Sequence, residues 1–256
     1  MATRDCLIGS LQSALEPLDF CRALWLGGSD AHSRTDAMSD IDIQAMVRDE
    51  SVEQVLAAAE SALGQISPVS RRYRVPEPSW HGRSQIFCAL RHCPPELMID
   101  LTMLKLSSPM ANRFLEVERH GCGVVLFDKD RLVEPVPLER DGHEAKVRAK
   151  LADLRDCVPI LAPIVLKAVR RANAPEAAAM YHGLILRSLV DLLRIVHCPE
   201  RFDFGLRYVR GDLPPLPAAA VERLSLPGSL EEVAEFTREG LAMFAATLPE
   251  AEKRWQ

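Results

Sequence analysis

The chain has 256 residues, 48% of them hydrophobic, and a formal net charge of −5. That length suits two modest domains with separate cores, and no apolar run approaches the ~18 residues of a membrane-spanning helix. Residues 1–138 carry 19 acidic against 14 basic residues and 139–256 carry 17 of each, so neither part shows the basic excess of a nucleic-acid binder. The seven cysteines include no C-x-x-C pair, which argues against a zinc site or a disulfide framework and for a reducing, cytoplasmic setting.

In chain order, Leu7, Ile8, Leu11, Leu15 and Leu18 recur at helical spacing. They predict an amphipathic helix over 3–19 in place of a signal peptide. The stretch from Ala23 to Val47 then reads as strand, glycine turn, short helix, strand. Leu24, Trp25 and Leu26 run into Gly27-Gly28-Ser29, and after ten intervening residues Asp40-Ile41-Asp42 opens a second apolar run. Side chains alternate faces on a strand, so Asp40 and Asp42 share one, their Cβ atoms roughly 6.5–7 Å apart. Two such carboxylates can hold a hard divalent cation, with waters and phosphate oxygens completing its shell. The turn can aim backbone N–H groups and the Ser29 hydroxyl at a phosphate. Asp30 to Met38 is expected to form the short helix, its N-terminus favouring an anion, with Arg34 near enough to reach a triphosphate.

Glu50 to Leu63 reads as an amphipathic helix closed by Gly64. Residues 66–75 and 84–92 read as a hairpin, flanked by Arg71, Arg72, Arg74, Arg83 and Arg91. Its long tip, Pro76 to Gly82, carries Trp80 and His81 as candidates to touch a substrate base. In Glu96 to Leu104, Leu97, Ile99, Leu101 and Met103 alternate with Met98, Asp100 and Thr102. Asp100 thus lies on the same kind of face as Asp40 and Asp42, and an aspartate in a buried-looking strand is costly unless paired or metal-bound. Residues 108–119 read as helix and 123–128 as a last strand. Past Pro135 and Pro137 the apolar period changes from two to 3.6, which places a boundary there and divides the chain into 1–136 and 137–256. The second part reads as helices: one over Val147–Val158, bent near Pro159 and Pro163, one after Pro175 that Pro199 ends, and one opened by the capping box Ser229-x-x-Glu232.

Gly28-Ser29, ten residues and Asp40-Ile41-Asp42 together resemble the signature of the DNA polymerase β-like nucleotidyltransferase superfamily. Within it, the chain looks most like the small bacterial enzymes that adenylylate antibiotics. The resemblance implies an α/β mixed sheet of nucleotidyltransferase type followed by an all-α helical bundle domain. It implies Asp40, Asp42 and Asp100 as catalytic and metal-binding residues for two Mg²⁺ ions, and Gly27, Gly28, Ser29 and Arg34 as nucleotide-binding residues. The expected reaction moves a nucleoside monophosphate, AMP from ATP, to a hydroxyl of a small-molecule acceptor bound in a cleft between the domains. Two alternatives stay open: modification of a protein partner, as in toxin–antitoxin systems, and a non-catalytic nucleotide-binding module. Nucleic acid is disfavoured as a partner by the charge balance, and no membrane is implied.

Overall fold

Thr3 opens the first element: its hydroxyl accepts the amide N–H of Cys6 and caps helix α1 (Arg4–Leu15). The structure is a computed structural model that describes residues 3–79, 81–109 and 115–255. Two units are present, Met1–Leu138 and Glu139–Gln256. Val136 stays with the first, because its N–H donates to the carbonyl of Leu115.

In chain order the first unit contains β1 (Cys21–Leu26), a single helical turn α2 (Gly28–Ala31), β2 (Ile41–Val47), α3 (Val52–Ile66), β3 (Val69–Arg74), β4 (Ser84–Leu90), β5 (Ile99–Lys105), α4 (Val117–His120) and β6 (Val124–Asp128). The strands form one mixed sheet in the order β3-β4-β5-β2-β1-β6. Its central pair, β2 and β5, is parallel, and the other pairings are antiparallel. One face is covered by α1 and α3, and Leu7, Leu11, Val55, Leu63, Ile41, Ile43, Ile99 and Leu101 share that core. On the opposite face a smaller cluster of Trp25, Met46, Leu104, Leu115 and Val133 covers one end of the sheet.

Three local expectations are corrected. The helix over Asp30 to Met38 is only the turn Gly28–Ala31. Beyond it the Asp36 side chain accepts the N–H of Met38 and the hydroxyl of Ser39, and the Ser39 hydroxyl accepts the N–H of Asp36. Such local side-chain bonds compete with a helical ladder. Helix α3 runs past Gly64 to Ile66; a glycine costs a helix only about 1 kcal/mol, and Ile66 packs on the core. Of the helix expected over 108–119, only 117–119 is helical among the described residues, as part of α4, and 110–114 lie outside the described residues.

The described elements of the second unit are helices: α5 (Arg140–Leu161), α6 (Pro163–Arg170), α7 (Ala174–Met180), a π-helical turn Tyr181–Leu186, α8 (Arg187–His197), α9 (Val209–Asp212), α10 (Pro215–Leu224) and α11 (Leu230–Trp255). Asn173 caps α7. Ser229 caps α11, its hydroxyl accepting the N–H of Glu232. Pro159 is accommodated inside α5 two residues from its end, whereas Pro163 starts α6. Residues Ser188 to Val196 of α8 are all buried, so it is the central helix of this core. Arg194, fully buried, pairs with Asp212 and donates to the carbonyls of Gly205 and Arg207, which fixes the aromatic loop after Pro199. No helix among the described residues is long and apolar enough to cross a membrane.

Candidate active site

Asp42 and Asp100 come together because β2 and β5 pair in parallel register, Asp42 opposite Asp100 and Gln44 opposite Thr102. Adjacent strands lie about 4.8 Å apart, and paired residues project to one face, here the one opposite α1 and α3. The antiparallel partner β4 adds Gln85 opposite Thr102 and Phe87 opposite Asp100. The glycine turn reaches the same place from β1, which runs antiparallel to β2: Leu26 pairs with Ile43 and the Gly27 N–H donates to the Asp42 carbonyl at 2.9 Å. Gly28, Asp42, Gln44, His81, Arg83, Gln85, Asp100 and Thr102, with Ile43, line a cavity of about 240 Å³.

The two carboxylates are held differently. Asp100 Oδ2 accepts from Gln85 Nε2 at 2.7 Å, and Oδ1 accepts from Thr102 Oγ1 at 3.1 Å. The Oε1 atom of Gln85 faces His81 Nε2 at 3.2 Å, which sets the amide's orientation when that nitrogen carries the proton. Burial raises the Asp100 pKa, against the lowering effect of Gln85, Thr102 and Arg83. Asp42, half-buried, receives no side-chain hydrogen bond from any described residue. Burial first, then the charges of Asp100, Asp40 and Asp30, push it up to about 6. Asp42 is therefore the carboxylate with the least compensation in the cluster.

Gly28 is required here on two counts. Its φ is +52°, in the left-handed region that costs other residues roughly 1–2 kcal/mol. A Cβ at Gly28 would also overlap the Asp42 carboxylate. A Cβ at Gly27 would meet the Gln44 side-chain amide, less closely than one at Gly28 meets Asp42. The Ser29 hydroxyl oxygen is buried and has no hydrogen-bond partner among the described residues.

Of the remaining sequence-selected residues, Asp40 precedes β2, and its Oδ1 accepts the Met98 N–H at 3.2 Å. It does not line the cavity, and its charge acts on Asp42. Arg34 is exposed on the loop after α2, its backbone N–H donating to the Ser29 carbonyl. Among the described residues no three His, Cys, Asp or Glu side chains are grouped closely enough to hold a metal ion unaided. The hairpin arginines separate: Arg72 pairs with Glu60 and Arg74 with Glu53, both on α3, whereas Arg83 enters the cavity. His81 lines the cavity as well, and Trp80 lies outside the described residues.

Sequence reading missed Arg4. Its guanidinium pairs with Asp30 and donates to the Asp40 carbonyl at 3.2 Å, tying both ends of the 30–40 loop to α1. The signal was weak, an arginine at the start of a helix chosen for its apolar stripe. Gln44 had a signal, since it follows Asp42 by two residues and must share its face.

No family model matches the chain. No curated protein matches it either. Among solved structures it is similar to the crystal structure of an aminoglycoside 6-adenyltransferase from Bacillus subtilis, with 12% identity over 99% of this chain and 91% of that one and a TM-score of 0.37.

Proposed function

We propose that the chain is a metal-dependent nucleotidyltransferase that moves AMP from ATP to a hydroxyl of a small-molecule acceptor, with antibiotics the first acceptors to try. The observation that supports this best is Asp42. A half-buried carboxylate with three carboxylate neighbours and no described side-chain donor is costly to ionise. A fold keeps such a group where a cation compensates it, and a glycine turn without room for a Cβ lies directly against it.

The residues fit Mg²⁺. That ion takes one or two carboxylates, keeps several waters and completes its octahedron with substrate phosphates, so Asp42 and Asp100 suffice as a core, with Asp40 beside them for a second ion. When bound, the metal neutralises the triphosphate and stabilises a developing alkoxide. The chain supplies the rest. Gly27 and Gly28 let phosphate oxygens approach backbone N–H groups, and the Ser29 hydroxyl, buried without a partner among the described residues, would donate to one on turning toward it. Asp100, aligned by Gln85 and Thr102, takes the acceptor's proton. The acceptor oxygen bonds to the α-phosphorus as the bond to pyrophosphate breaks, and pyrophosphate leaves.

Two results check this. Calorimetry should show tight ATP binding with Mg²⁺ and weak binding in EDTA, because metal and nucleotide each supply what the other needs; equal affinities would rule the metal-dependent reading out. Incubation with labelled ATP and a panel of small hydroxyl compounds then identifies the acceptor class. Gly28→Val should displace the Asp42 carboxylate and lower Mg·ATP affinity at least tenfold, while circular dichroism shows a folded chain. Unchanged affinity would make the turn merely structural.

A further inference from the structure

Arg83, 6% exposed, is the one buried charged side chain among the described residues of the first unit. Burying a guanidinium costs several kcal/mol unless charges compensate it. Its Nη1 donates to Gln44 Oε1 at 3.3 Å, and Asp100 and Glu116 are the carboxylates whose charges it feels most. Burial, against the opposing charges of Asp100 and Glu116, pushes Arg83 down to about 10. The arginines on β3 differ. Arg72 and Arg74 are neutralised at the surface by glutamates of α3, so the hairpin contributes a single cation to the acidic cavity.

The position of that cation is informative. The Gln44 carboxamide stands between it and the glycine turn, its oxygen accepting from Arg83 and its nitrogen packed against Gly27. Arg83 and the turn thus lie at the two ends of one carboxamide, and Arg83 and Gly28 both line one cavity. Asp42 lies on the turn's side, against Gly28, and Asp100 on the side of Arg83. A chain of phosphates whose terminal groups sit on the turn would bring its first phosphoryl group toward Asp100.

We infer that Arg83 is the second anchor for the phosphate chain, its guanidinium binding the oxygens of the phosphoryl group that lies beside Asp100. This deepens the nucleoside-triphosphate reading of the cavity and rests on it. The planar guanidinium can give two parallel N–H bonds to one phosphoryl group. In the transfer step, negative charge spreads over the equatorial oxygens of that group as the acceptor oxygen bonds and pyrophosphate departs. A fixed cation there needs no reorganisation as the charge develops.

The test uses the full chain with Mg²⁺ and measures binding of ATP and of inorganic tripolyphosphate by calorimetry, in wild type, Arg83→Gln and Arg83→Lys, with thermal melts confirming the fold. Wild type should bind both ligands. Arg83→Gln should weaken tripolyphosphate at least tenfold, and Arg83→Lys should fall between the two, since it keeps the charge and loses the fork. If wild type binds both and a folded variant of either kind matches it within twofold, Arg83 is not an anchor and the triphosphate reading stands. If wild type binds neither ligand, the triphosphate reading falls and Arg83's role with it. Should Arg83→Gln fail to fold, Arg83→Lys decides alone.

Discussion

Asp42→Asn should give a metal-free protein more stable than wild type at pH 8 and almost without nucleotidyl transfer. The pKa of Asp42 is raised to about 6 by burial and neighbouring carboxylates, against about 3.9 in an unfolded chain. A raised pKa means that the folded state favours the protonated form. The stability this gives is complete below about pH 4 and is lost as pH rises through 6. Asparagine does not titrate, so the variant's advantage should open between pH 4 and 6 and remain above that. At 1.36 kcal/mol per pKa unit, the gain is on the order of 3 kcal/mol. Urea denaturation in EDTA at pH 4 and pH 8 measures it. Added Mg²⁺ should stabilise wild type at pH 8 and leave the variant unchanged. A variant that is less stable at both pH values would show that Asp42 is a structural aspartate with a partner, and the site would have to be placed elsewhere.

Much of this site was legible because strand periodicity is a strong local signal. Alternation alone puts Asp42 on one face of β2 and Asp100 on one face of β5, and both assignments agree with the observed burial of Ile41, Ile43, Ile99 and Leu101. Alternation cannot reveal which strands pair or in what register. That Asp42 stands opposite Asp100, and Phe87 opposite Asp100 from the other side, depends on long-range packing. Gln85 and Arg83 share that limit: Gln85 lies in a stretch read as a hairpin arm and Arg83 just before it, and only the pairing of β4 with β5 brings them to the carboxylates. The helix assigned to 30–38 failed for a local reason. Asp36 and Ser39 spend their side chains on nearby backbone N–H groups, a competition that apolar spacing does not record. Arg4 reaches the site from 36 residues before Asp40, and nothing in the composition of α1 marks it.

Asp100→Asn should separate binding from chemistry. The carboxylate lies in register with Asp42 and is raised in pKa by burial, which makes it a stronger base than an exposed aspartate. A positioned general base contributes roughly 10²–10⁴-fold, so transfer should fall by about that factor once an acceptor is identified. Rates in wild type should climb as pH rises through the raised pKa of Asp100, since only the ionised form accepts a proton. The surroundings can absorb the substitution. The asparagine oxygen can keep the Gln85 Nε2 bond, and its NH₂ can donate to Thr102 Oγ1, whose hydroxyl is able to accept as well as donate. The fold should therefore survive, and the melting temperature without metal should stay equal to wild type or rise. Because Asp42 and the glycine turn remain, Mg·ATP should still bind, more weakly by the loss of one ligand charge. Asp100 is a catalytic residue only if transfer collapses while binding persists. Normal transfer in a folded variant would assign it a purely structural place between Gln85 and Thr102. An equal loss of binding and transfer would make it a metal ligand that is not the base.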